Sequence, residues 1–291
     1  MRRSLDPAVQ RRRLSIELHR AREAAHLTQK RVADEFGWSL SKLIRIENGQ
    51  NPVSRVDLGV LLQLYGVTDV EQVGRLQKMA DDSRQQPWKK YRGILNPDYM
   101  NYLWYEGAAS HIRNYHPLLV PGLLQTEAYA LRLFQGAALP GIPEEVATEQ
   151  AKVRKLRQKK TQQEDPPHMS FVLDEAIIPR GLGNHPADRA IMRQQLDRML
   201  ELNEQPNVDI RILLFGMESH VGLRGQFVLL EFPDEDDPDL LYLENEPRSI
   251  TTRDGALAKH YRETFERLES ASLAGAEANS FLERAIAELA A

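Results

Sequence analysis

Apolar residues in the first eighty positions recur at three- and four-residue steps, in short runs separated by Gly or by Ser and Thr. Leu14, Leu18, Ala21 and Ala25 form one stripe, with Arg11, Arg12, Arg20 and Glu23 off it, which predicts a helix over 11–25. Thr28 is placed to cap a second short helix, Gln29 to Phe36, with Val32, Ala33 and Phe36 inward. Gly37 permits a turn, and Ser39 to Asn48 predicts a third helix in which Leu43 and Ile46 share a buried face. A fourth helix is expected after Ser54, with Val56, Leu58, Leu61, Leu62 and Tyr65 available to the core, and a fifth over 69–80.

Residues 82–96 are polar, contain Pro and Gly, and lack apolar periodicity. They predict a linker, although Trp88 and Tyr91 make it too aromatic for a free tether. Helices are expected over 99–109, from a cap at Thr126 through Phe134, and over 143–163. The period then changes. Strands are predicted at 168–178, 208–215, 225–232 and 239–245, with an amphipathic helix over 186–203 between the first two. Helices close the chain over 254–269 and 276–290. The expected fold class is an all-α five-helix N-terminal domain (1–81), a linker (82–96) and a larger α+β C-terminal domain (97–291).

Composition narrows the setting. The 291 residues suffice for two domains, and 42% apolar content suffices to build cores. There is no Cys, which excludes disulfides, zinc thiolate sites and cysteine catalysis. No apolar run is long enough to span a membrane, and the basic N-terminus lacks the apolar stretch of a secretory signal. A soluble cytoplasmic protein is expected. The net charge of −4 hides an asymmetry: residues 1–93 carry 18 Lys+Arg against 11 Asp+Glu, and the remainder 20 against 31. A basic first third on an acidic remainder suggests nucleic acid at one end. Arg2, Arg3, Arg11, Arg12 and Arg13 read as a basic arm that tracks phosphates or as a solvated tail.

No catalytic constellation stands out. The eight His, at 19, 26, 111, 116, 168, 185, 220 and 260, lack the i, i+4 spacing of a helical metal pair. His111 and His116 are five apart across an expected change from helix to loop. There is no Gly-x-Ser-x-Gly elbow, and the two Gly of "GLGNHP" at 181–186 have no nucleotide-binding unit around them. Asp174 and Glu175 follow a strand and either act chemically or start a turn. No enzyme, cofactor or metal is expected. "PGLLQT" at 121–126 reads as a turn that drops Leu123 and Leu124 into the core, or as the lip of a ligand site. The acidic run Glu231 to Asp239 and the basic residues Lys152, Arg154, Lys155, Arg157, Lys159 and Lys160 read as solvated faces or as contacts for a charged partner.

"LTQKRVADEFGWSLSKLIRIENGQNP" at 27–52 resembles the Xre/Cro/repressor class of helix-turn-helix domain. The resemblance implies that the third helix enters a major groove. Carried over by position, Leu40, Ser41 and Arg45 face bases. Arg45 is suited to guanine O6 and N7, whereas Leu40 offers only apolar contact or packs on a neighbouring helix. Gln29, Lys42, Thr28 and Ser39 fall at phosphates, and Arg22 with Glu47 form a structural ion pair. A homodimer on a two-fold operator of double-stranded DNA is expected, with its dimer contact in the C-terminal domain.

"IRNYHPLLVPGLLQTEAYA" at 112–130, with "VLDEAII" and "QLDRMLELNEQPNVDIRILLF", resembles the C-terminal domain of WhiJ-like regulators of actinobacteria. That resemblance implies transcriptional control and a small BldB-like protein partner in an antitoxin-like arrangement. The other reading of this domain is a small-molecule pocket lined by Trp104, Tyr105, Tyr115 and Leu124.

Overall fold

The computed structural model describes residues 7–84, 88–137, 143–161, 166–179, 186–216, 220–233, 237–244 and 249–290. It divides into two compact units, Met1–Lys90 and Tyr91–Ala291.

The first unit is helical: α1 (Pro7–Ala24), α2 (Gln29–Glu35), α3 (Leu40–Glu47), α4 (Arg55–Leu64) and α5 (Val70–Asp82). Its caps are side-chain oxygens aimed at free backbone N–H groups. Thr28, Ser39, Ser54 and Asp69 accept from Arg31, Lys42, Asp57 and Gln72 respectively, each contact worth about 1 kcal/mol. Gly37 adopts φ +63°, which lets Trp38 N–H return to Ala33 O at 2.8 Å and turns the chain sharply from α2 into α3. Leu14, Leu18, Val32, Leu43, Ile46, Leu58, Leu61 and Leu76 form the core. Val56, expected inside, is exposed on α4. α1 begins four residues earlier than its stripe suggests, because Arg11 and Arg12 are buried helical residues and not part of an arm. Arg11 reaches the end of α5 through Ser83 O at 2.7 Å. Arg2 and Arg3 lie outside the described residues.

The second unit carries α6 (Pro97–Glu106), β1 (His111–His116), α7 (Glu127–Arg132), α8 (Glu144–Thr161), β2 (His168–Asp174), α9 (Pro186–Asn203), β3 (Val208–Leu213), β4 (Phe227–Glu231), β5 (Leu240–Leu243), β6 (Ile250–Thr252), α10 (Gly255–Ala271) and α11 (Gly275–Ala290). The six strands form one mixed sheet in the order β3-β2-β1-β4-β5-β6. β1, β2 and β3 are parallel, and β4, β5 and β6 continue antiparallel from β1. The parallel pairs need crossovers, which α7 with α8 and then α9 supply.

Two strands depart from the sequence pattern. The stretch His111–His116, read there as the passage from helix to loop, is the central strand β1. Its alternation is disguised because a polar residue, Asn114, is buried on one face, and His111 and Arg113 share the other with the buried Tyr115. β6 is a three-residue edge strand, too short to leave a period.

Alternation along the strands sorts side chains to two faces. Tyr115, Val172, Phe227, Leu229 and Leu241 pack with Ala258, Phe265 and Leu268 of α10. Asn114 pairs in register with Val228, and Val228 with Tyr242, so these three share the opposite face.

Candidate nucleic-acid interface and cavity

α2, the Gly37 turn and α3 present one surface. Within α3, Leu43, Ile46 and Glu47 are buried, whereas Ser41 and Arg45 are exposed. Leu40, at the first turn, is 42% exposed. It thus keeps a substantial exposed surface at the start of α3. Arg45 Nε donates to Ser41 O at 3.1 Å, which lays the side chain along the helix toward its N-terminal end.

Glu47 is the hub behind this surface. It accepts from Arg22 Nε at 2.8 and 3.1 Å and from Gln29 Nε2 at 2.8 Å. Tyr65 Oη and His19 Nδ1 lie 3.4 Å away. Burial, then the Glu47 charge, push the Tyr65 hydroxyl pKa up, so it remains a proton donor. Arg22 also donates to Leu27 O at 2.7 Å, across the junction of α1 and α2. One buried cluster thus fixes α1, α2 and α3 together.

The residues assigned to phosphates are held differently. Gln29 is oriented by Glu47 and retains one amide hydrogen. Thr28 and Ser39 accept from helix N–H groups, which leaves each hydroxyl proton free to donate. Lys42 Nζ sits 3.6 Å over the Trp38 ring and 3.2 Å from Asp57, so a phosphate would compete with that carboxylate.

The second unit contains a cavity of about 660 Å³. Trp104, Tyr105, Tyr115 and Leu124 do not line it. Tyr115 points to the α10 face and Tyr105 packs against Phe232. Leu124 is buried and Trp104 half-buried. The residues beside Tyr115 and Leu124 face the space instead: Asn114, His116 and Gln125. One residue along β1 reverses the face, which is how Tyr115 misses the space that Asn114 and His116 line.

Around the cavity, Tyr102 stacks on Tyr242 with ring centroids 4.3 Å apart. Arg157 of α8 donates to Glu106 of α6 at 2.8 and 2.5 Å and to Tyr99 Oη at 2.5 Å, while Tyr102 Oη donates to Glu106 at 2.6 Å. This buried pair joins α8 to α6. "PGLLQT" forms the expected turn, and two of its residues also border the cavity. Leu124 N–H returns to Pro121 O at 2.9 Å and both Leu side chains are buried, while Gly122 and Gln125 line the space. A Cβ on Gly122 would overlap Arg154 Nη1, so only Gly lets that guanidinium lie there.

The charged faces are largely neutralised within the chain. Lys152 pairs with Glu149, Lys155 with Glu127 and Arg157 with Glu106. Asp237 pairs with Arg253 and Asp239 with Arg262. Glu231 meets His111, Arg113 and Arg262. Burial alone would raise its pKa; hydrogen bonds from His111 and Arg113 and the adjacent cations bring it down to about 2. Asp234 to Asp236, Lys160 and "GLGNH" at 181–185 lie outside the described residues or side chains. Asp174 starts a turn, accepting from Ala176 N–H at 2.8 Å. Among the described residues no cluster of His, Asp and Glu could hold a metal, and no helix is long and apolar enough to cross a membrane.

The capped helices, the glycine turn and the exposed face of α3 define a helix-turn-helix DNA-binding domain, the recognition element of a regulator. A family described as a helix-turn-helix domain matches residues 13–73. Residues 99–284, well over half of the chain, match a domain of unknown function (DUF5753), and the chain belongs to that family. No curated protein and no solved structure matches it.

Proposed function

We propose that the chain is a sequence-specific transcriptional regulator whose five-helix domain (1–81) binds double-stranded DNA as part of a homodimer. A linker (82–96) joins it to a dimerisation and sensing domain (97–291). α3 enters the major groove with Leu40, Ser41 and Arg45 on base edges. Gln29, Lys42, Thr28 and Ser39 hold phosphates on either side. The observation that carries this reading is the division of α3: Leu43, Ile46 and Glu47 are buried, while the three proposed readers stand exposed. A dimer follows from contact area, since one such module is too small for specific affinity.

Selection from random duplexes by the full chain tests this. The expected product is a two-fold site with half-sites about one helical turn apart; an unenriched pool, or a monomer on DNA, contradicts it. By resemblance to WhiJ-like regulators, the C-terminal domain takes a small BldB-like protein in an antitoxin-like arrangement, in the actinobacterial cytoplasm. A second reading, that this domain responds to a small molecule, is favoured by the cavity and by enclosed polar atoms on its wall that lack partners.

A further inference from the structure

The cavity wall holds more polar capacity than the protein satisfies. Asn114 and Gln125 are 4% and 5% exposed. Asn114 Oδ1, Gln125 Oε1, Gln150 Oε1 and His116 Nδ1 are all enclosed and have no hydrogen-bond partner among the described residues. Gln125 Nε2 donates to Val120 O at 2.7 Å, so its free atom is an acceptor. Groups of this kind are normally paired, because leaving one unmade costs about 1–3 kcal/mol. Three of the four are amide oxygens, acceptors only, and indicate an occupant that brings donors.

Charge adds a second feature. Arg157 is matched by Glu106, but among the described residues no carboxylate pairs with Arg154. Its guanidinium lies 5.1 Å from the Phe134 ring centroid, against Gly122, on the cavity wall. His116, deprotonated at neutral pH, adds no competing charge. Aromatic surface comes from Tyr99, Tyr102, Tyr242 and Phe134.

We propose that this cavity binds a small aromatic organic acid that also carries N–H or O–H donors, its carboxylate against Arg154 and its donors toward Asn114, Gln125 and Gln150. The assignment rests on the small-molecule reading above and gives it a site and a ligand class. The volume suits one such molecule, and the rings offer stacking surface for its body.

Saturation-transfer NMR on the full chain, with three matched probes at millimolar concentration, tests it. N-acetyl-L-tyrosine has anion and donors, N-acetyl-L-tyrosinamide has donors without the anion, and 3-phenylpropanoate has the anion without donors. N-acetyl-L-tyrosine is expected to bind at least about tenfold more tightly than either, one good charged contact being worth that much. Arg154→Gln is expected to erase the preference for acid over amide. Asn114→Leu is expected to lose the acid while melting no lower than the parent, because an unpaired carboxamide is replaced by an apolar group of similar size. Equal binding of acid and amide, binding of none, or an unaltered preference in Arg154→Gln overturns the proposal. The sensor reading fails separately: if the acid binds but leaves operator affinity unchanged, the site stands and the sensing role does not. If only the amide binds and it shifts operator affinity, the reverse holds.

Discussion

Arg22 Nε donates to both oxygens of Glu47, at 2.8 and 3.1 Å, with the two side chains 8% and 1% exposed. The pair sits behind the exposed face of α3 and reaches Gln29 through the same carboxylate. Glu47→Ala leaves a buried guanidinium uncompensated, which costs about 3–5 kcal/mol. Hydrogen exchange at the amides of α1 and α3 in the full chain is expected to accelerate together. Local acceleration confined to α3 would mean that the pair does not couple the helices.

Lys42 is held by Asp57 in the unbound chain. Asp57→Asn frees the ammonium and removes a negative charge beside the proposed phosphate contact. Affinity for duplex DNA is expected to rise several-fold at low salt, and the salt dependence to steepen by about one phosphate contact. An unchanged slope in fluorescence anisotropy titrations removes Lys42 from the phosphate set.

Burial, then the charges of Arg154 and Arg157, lower the His116 pKa from 6.5 to about 3. Between those values the unfolded chain binds a proton that the folded chain refuses. The His116 contribution is therefore intact above about pH 6.5 and falls toward pH 3, by at most about 1.4 kcal/mol per pH unit. Melting of the parent and of His116→Gln across that range is expected to show a steeper acid loss in the parent. Parallel curves contradict the assignment.

The Arg157–Glu106 pair joins α8 to α6 in a buried setting, with Tyr99 and Tyr102 completing its hydrogen bonds. Arg157→Met alone is expected to cost about 3–5 kcal/mol, and adding Glu106→Leu to recover most of it, since the pair's removal together leaves no stranded charge. Urea unfolding of the set measures the coupling. Additive losses mean that the two side chains act independently and contradict the coupling.

The N-terminal unit was legible because its signals are local. Thr28, Ser39 and Ser54 cap the helices they precede, and Gly37 takes the left-handed conformation the turn needs. Arg11 and Arg12 were misplaced because a buried cation is paired by tertiary neighbours that a helical stripe does not reveal. β1 was missed for a related reason: Asn114 is buried, and the half-buried His111 and Arg113 are satisfied by strands far away in sequence. His111 meets Ser170 at 2.9 Å and Arg113 meets Glu231 at 2.8 Å. Asn114 looks like a surface residue and is a cavity wall. The stretch 112–130 carried a family resemblance, but only the register of β1 separates the face of Tyr115 from that of Asn114 and His116.

The most direct test of the central claim is the affinity of the full chain and of Arg45→Ala for the selected operator and for a scrambled duplex at one fixed salt concentration. The account predicts that the parent discriminates strongly. Arg45→Ala should lose about 1–3 kcal/mol on the operator alone, with an unchanged circular dichroism spectrum. Equal affinity of the parent for both duplexes, or full discrimination retained by Arg45→Ala, would contradict it.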